Sequence, residues 1–349
     1  AYRECPTSKC AYRSRADYPY SRRGGLIGEP INEGFAGDGS QHQTVENFVK
    51  LTRPDFAYTP FVPPGEENAK VPAWLNDPIW YHNRGNTTFS GESNDMGDFV
   101  GLDDLMTENP RVVQGFIDIF GSWIDHYGVD GFRIDTAKHV NEEFWQAFAP
   151  AMLERARQRG IPNFHIFGEV FVESPTDTSL LARYTRTAGL PTVLDFAFAA
   201  AVRETVAGSA GTEVLARLFA DDALYQGGRA TALQLPTFIS NHDFGRFAHF
   251  VYKKQPTVGR AEALSRVQLA HAMLLTLRGV PTLYSGDEQG FVGLGGDQSA
   301  RQPLFASQVS EYTEQKPLGS ESTHAQSHFD AQHPLYQLIR SEEHTSELQ

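Results

Sequence analysis

Three acidic residues each close a short apolar run: Asp135 at the end of Val129-Asp130-Gly131-Phe132-Arg133-Ile134-Asp135, Glu169 at the end of Phe164-His165-Ile166-Phe167-Gly168-Glu169, and Asp243 at the end of Leu235-Pro236-Thr237-Phe238-Ile239-Ser240-Asn241-His242-Asp243. Carboxyl groups gathered in this way suit the breaking of a glycosidic bond. A retaining glycosidase needs an ionised carboxylate as nucleophile and a protonated carboxylic acid about 5–5.5 Å away. Different surroundings must hold the two in different protonation states. Arg133 lies two residues before Asp135, which on a strand is the same face, so its guanidinium is placed to keep Asp135 ionised. Glu169 follows an apolar strand, where desolvation favours its protonated form. His242 adjoins Asp243, and an imidazole can hydrogen-bond sugar hydroxyls. The plainer reading, an Arg133–Asp135 pair tethering a strand end, leaves Glu169 and Asp243 unexplained.

The elements that must position these residues follow from periodicity. All three runs read as buried strands, too apolar for half-exposed ones. Helical patterns lie between them, the order of a parallel α/β fold, in which chemistry gathers at the carboxyl ends of the strands. Asn109 is expected to cap a helix with Pro110 at its first position, carrying Val113, Phe116, Ile117, Phe120, Trp123, Ile124 and Tyr127 at helical spacing and stopping at Gly128. A second helix is expected from a cap at Asn141, burying Phe144, Phe148 and Met152 and stopping at Gly160-Ile161-Pro162. Further expectations are a strand over Thr192–Phe196, helices at about 197–207, 212–220 and 260–278, and a last strand running to Tyr284. Residues 1–107 carry little periodicity and read as loops and short strands.

At this point the motifs resemble those of the α-amylase family, glycoside hydrolase family 13. Gly131-Phe132-Arg133-Ile134-Asp135-Thr136-Ala137-Lys138-His139 resembles its nucleophile strand, Gly168-Glu169-Val170 its acid strand and Asn241-His242-Asp243 its third-carboxylate strand. Gly279-Val280-Pro281-Thr282-Leu283-Tyr284-Ser285-Gly286-Asp287-Glu288 resembles its eighth strand. The resemblance implies a (β/α)8 TIM barrel, truncated to strands four to eight, with residues 1–107 as a loop-rich domain B insertion and residues 108–340 as the partial barrel. It implies Asp135 as nucleophile, Glu169 as acid and Asp243 as the carboxylate that favours the distorted sugar ring. Arg133, Lys138, His139 and His242 would bind substrate, an α-1,4-linked glucan of the starch type. Calcium is implied as cofactor, with Asp104 of Leu102-Asp103-Asp104-Leu105 and the carbonyl of His139 as ligands. Sibling enzymes that transfer glucosyl units, or act as α-glucosidases, would keep the same three carboxylates, and a non-catalytic binding barrel would have lost one.

Composition sets bounds on partners. The chain has 349 residues, 40% of them hydrophobic, and a formal net charge of -13. That charge argues against nucleic acid and anionic membranes and is compatible with a neutral polymer. No stretch reads as a membrane span. Cys5 and Cys10, the two cysteines, read as a disulfide of an exported protein or as two free thiols. The family's first motif and first three strands have no counterpart, and Ser341–Gln349 does not continue the pattern and resembles a foreign tail. The expectation is an internal piece of a longer, secreted or periplasmic enzyme, monomeric when whole and inactive as this piece alone.

Overall fold

The computed structural model describes residues 10–346, and of 342–346 the backbone only. It forms two compact units, residues 1–169 with 187–190, and residues 170–186 with 191–349. This division follows contact density and cuts the chain elsewhere than at 107/108, where the periodicity changes.

In the first unit, residues 10–107 form turns, short helical segments and isolated bridges around a core of the aromatics Tyr20, Phe35, Phe48 and Phe56 with Met106. Tyr20 meets Phe35 and Phe56 edge to face at 5.2 and 4.4 Å. Cys10 is disulfide-bonded, as one reading of the cysteine pair expects, and Cys5 lies outside the described residues. Residues 80–82 run against 104–106: the Tyr81–Leu105 bridge is antiparallel, the His82 amide donates to the Asp104 carbonyl at 3.0 Å, and the Met106 amide to Trp80 at 2.8 Å.

Helix α1 spans Pro110–Tyr127, with the Asn109 side chain accepting from the Arg111 amide and Gly128 in the left-handed region at φ 62°. Helix α2, Glu142–Gln158, buries Phe144, Trp145, Phe148 and Met152. Asn141 sits at its cap position without capping it; the side chain instead accepts from Thr107 Oγ1 and donates to Glu143. Between the helices lies strand β1, Gly131–Ile134, and after them β2, His165–Gly168, paired in parallel with Gly131 opposite His165 and Ile134 opposite Gly168. β1 is not the buried strand its composition suggests: Arg133 is exposed and its neighbours only half-buried, because β2 is its one ladder partner among the described residues.

The second unit continues the alternation. Its longer helices are α3 (Thr178–Arg186), α4 (Phe196–Val202, running on into a π-turn to Ala207), α5 (Glu213–Ala220), α6 (Phe247–Lys254), α7 (Arg260–Thr276) and α8 (Pro334–Ser346). α3 and α6 are additions to the elements expected from periodicity. α4 is buried on every side, so it has no polar face to betray its period. Strands β3 (Thr192–Val193) and β4 (Pro236–Thr237) are buried, β4 pairs in parallel with β5 (Val280–Pro281), and Asp195 bridges to Thr237. The ladders are shorter than the apolar runs: Asp243 lies six residues beyond β4 and Tyr284 three beyond β5. β5 is exposed rather than buried, Val280 by 49%. No described helix is long and apolar enough to cross a membrane.

Candidate active site

Asp135 and Glu169 meet through Arg133. In the β1–β2 register Arg133 lies opposite Phe167, and the Glu169 amide extends the ladder to the Ile134 carbonyl at 2.7 Å. The two acids therefore follow the ends of adjacent parallel strands. Arg133 Nη1 donates to Asp135 Oδ1, and Arg133 Nη2 lies 3.0 Å from Glu169 Oε1. The second Glu169 oxygen accepts from the Thr136 amide at 3.2 Å. Thr136 adopts a left-handed φ of 48°, which turns the chain sharply after Asp135 and aims its amide back at Glu169.

The surroundings of the two carboxyls differ. The Asp135 side chain is 66% exposed and that of Glu169 8%. Burial of Glu169 is as expected from its strand, but the guanidinium is not reserved for Asp135. Glu169 is thus enclosed and held by the Arg133 guanidinium and the Thr136 amide, whereas Asp135 is open to solvent. A cavity of about 410 Å³ runs along β1 from Phe132 to Asp135, walled by Phe116, Phe120, Phe144 and Trp145.

Lys138 and His139 occupy the turn after Asp135. The Lys138 carbonyl accepts from Asn94 Nδ2 at 2.6 Å, and His139 Nδ1 lies 3.1 Å from the Asn94 carbonyl. The His139 ring packs edge-on against Phe99 at 5.2 Å and against Phe89 at 5.8 Å. Burial pushes this imidazole below its ordinary value, against the pull of the Asn94 carbonyl. Phe89 is 54% exposed, whereas Trp74, Trp80 and Tyr81 pack within the unit.

Asp243 belongs to the second unit. Its Oδ1 accepts from Arg301 Nη2 at 2.8 Å, and its Oδ2 lies 3.0 Å from His242 Nε2. Asn241 Oδ1 accepts the amides of Asp243 and Phe244, closing the turn that presents the pair. Arg301 also reaches the His242 carbonyl at 3.3 Å. Sequence reading missed Arg301, which stands 58 residues from Asp243 in an aperiodic stretch, and Asn94, for the same reason.

Asp104 is held differently from the calcium expectation. Its Oδ2 lies 2.6 Å from His82 Nδ1, and its amide donates to Asp98 Oδ1 at 3.0 Å. Calcium takes six to eight oxygen ligands. Asp104 and the His139 carbonyl offer two, and the first already holds an imidazole. These residues do not by themselves fit the ion.

Residues 39–337 match the family described as Alpha amylase, catalytic domain. The chain is 42% identical over 328 residues to an α-amylase of Streptomyces lividans, covering 94% of this chain and 34% of that protein. It is 29% identical over 248 residues to a cyclomaltodextrin glucanotransferase of Bacillus licheniformis, covering 69% of this chain and 31% of that one. Two solved α-amylases share the fold at TM-score 0.59 and 26% identity. The Anoxybacillus enzyme matches 79% of this chain and 52% of its own. The Geobacillus thermoleovorans enzyme, complexed with acarbose, matches 78% and 54%. The chain thus spans about a third of the length of these curated relatives. With a family match across most of its length and two strand-end carboxyls joined by one guanidinium, the chain belongs to the α-amylase family, whose fold is the (β/α)8 barrel.

Proposed function

We propose that this chain carries the catalytic part of a retaining glycoside hydrolase that cleaves α-1,4-glucosidic bonds in starch-like glucans. The observation that carries the reading is the Asp135–Arg133–Glu169 arrangement. Asp135, the more exposed carboxylate, attacks the anomeric carbon. Glu169, buried and held by an amide and a guanidinium, protonates the leaving oxygen and then deprotonates the incoming water. Arg133 bridges the two carboxyls and fixes the spacing of the pair. Asp243 and His242 bind sugar hydroxyls, and Lys138 and His139 line the sites on the leaving-group side. A net charge of -13 suits a neutral polymer better than an anionic one. The disulfide at Cys10 favours an exported protein.

The finer architecture is part of the same proposal: strands four to eight of the barrel, with residues 1–107 as domain B and the whole protein a monomer. The aromatic-walled cavity along β1 supports it, since that space suits a further strand. The family's calcium would meet Asp104 through the oxygen not turned to His82, and the His139 carbonyl, and would need at least four further oxygen ligands. A glucanotransferase is the second reading, favoured by the Bacillus licheniformis relative. It differs in whether water or a sugar takes the glycosyl group from Asp135.

The test uses an active form of the protein and two variants. NMR of the first product from a maltooligosaccharide should show the α-anomer, and a β-anomer overturns Asp135 as nucleophile. Asp135→Asn should abolish turnover. Glu169→Gln should fail on starch yet turn over substrates whose leaving group needs no proton; full activity on starch places the acid elsewhere.

A further inference from the structure

We propose that Asp38, His82 and Glu108 bind one divalent transition-metal ion of the zinc type, with Asp104 orienting the imidazole from outside. This site is independent of the glucan reading. Its three donors come from separate segments of the first unit and are all buried, with 5%, 0% and 4% of their surface exposed. One ligand atom from each lies within 4.8 Å of the others, the one such group found among the described residues. His82 Nε2 faces Glu108 Oε1 at 2.7 Å, and His82 Nδ1 faces Asp104 Oδ2 at 2.6 Å. An imidazole with one nitrogen on a carboxylate and the other turned toward further acidic ligands is how metal-bound histidines are arranged. Asp38 is oriented from behind, by Arg15 Nη1 at 2.7 Å and the Tyr20 hydroxyl at 2.5 Å, each taking one lone pair of a different oxygen.

The donor set selects the ion. One imidazole nitrogen with two carboxylates suits zinc and its neighbours, whereas calcium asks for oxygen alone. In the structure His82 Nε2 and Glu108 Oε1 share a hydrogen bond. Zinc bound at about 2.0–2.2 Å to each would open that 2.7 Å separation to roughly 3.3 Å. Asp38 and Glu108 lie on turns outside regular strands and helices, so a shift of about half an ångström there breaks no ladder pairing. The ion would join the segment at Asp38, the 80–82 stretch and the entry to α1 around the aromatic core, a structural role for a region with little regular hydrogen bonding.

The test uses the untagged full chain, stripped with a chelator and dialysed against zinc chloride with or without a large excess of calcium chloride, with bound metal counted by mass spectrometry. Expected is about one zinc per chain that calcium does not displace, with a thermal midpoint raised by zinc. His82→Gln and Glu108→Gln should weaken zinc retention at least tenfold, and Asp104→Asn by about 10- to 100-fold. Wild-type protein that retains no zinc, or loses it to calcium, overturns the proposal. So does a folded His82→Gln that retains zinc as the wild type does. The wild-type comparison decides even where a variant does not fold.

Discussion

Arg133 shows what a single residue reveals and what it hides. Its place two positions before Asp135 makes one contact readable from the strand period alone. Its second contact, to Glu169, depends on the parallel register of β1 against β2, which no local pattern encodes. Arg301 and His82 were hidden for a related reason: their partners lie 58 and 26 residues away, in stretches without periodicity. The same holds for His324, which is fully buried with its ring 4.3 Å from Phe291 and 4.9 Å from His328, and with neither nitrogen bonded to protein. Burial, followed by the nearby His328 and Arg246, pushes it down to about 4 from the ordinary 6.5. Between those values the unfolded chain takes up a proton that the folded chain refuses. Its contribution to stability is therefore complete above pH 6.5 and is lost as pH falls toward 4, by at most about 1.4 kcal/mol per pH unit. Urea unfolding of the wild type and of His324→Gln between pH 7 and pH 4 should show a shallower decline for the variant. Parallel declines would sink this assignment.

At the scale of elements, the helices with one apolar face and clear punctuation were legible. α1 runs from the Asn109 cap to Gly128 as its sequence implies. α4 was placed at about 197–207 and runs from Phe196 to Ala207 with its π-turn, whereas α6, short and with only half of its residues buried, was not expected. The strands were located but overextended, since an apolar run continues past the point where its neighbour stops pairing. Gly128 offers a clean test of the reading of α1. At φ 62° a side chain is strained, yet a Cβ there meets nothing within 4 Å. Gly128→Ala should thus cost about 1 kcal/mol through backbone conformation alone. Gly128→Asn should cost less, since asparagine tolerates the left-handed region. Equal stability of all three proteins in urea would show that α1 ends otherwise.

At the scale of the whole molecule, one strand in each unit remains partly bare. Among the described residues β1 pairs only with β2 and β5 only with β4. Val280 and Leu283 are 49% and 44% exposed, and Trp123 and Tyr127 on α1 are 48% and 71% exposed. An open edge invites association unless charge or proline blunts it. On β1 the residue 130 and 134 carbonyls accept from β2, so by alternation the main-chain groups of Gly131 and Arg133 face the open side, beside a charged side chain. On β5 the amides of Val280 and Thr282 donate to the β4 side, at Leu235 and Thr237, which turns Pro281 and its missing amide to the open edge. Strand addition is thus partly guarded at both ends, and the apolar side chains of the last strand are the larger hazard. We expect the chain of residues 1–349, on its own, to associate increasingly between about 1 and 100 µM. Light scattering after gel filtration would measure it, and Val280→Lys with Leu283→Lys should reduce it without altering the circular dichroism spectrum. If the unsubstituted chain is monomeric across that range, those faces are covered in solution in a way the structure does not include. If it associates and the double variant does so equally, the contact lies elsewhere, and β1 with its aromatic-walled cavity becomes the surface to alter next.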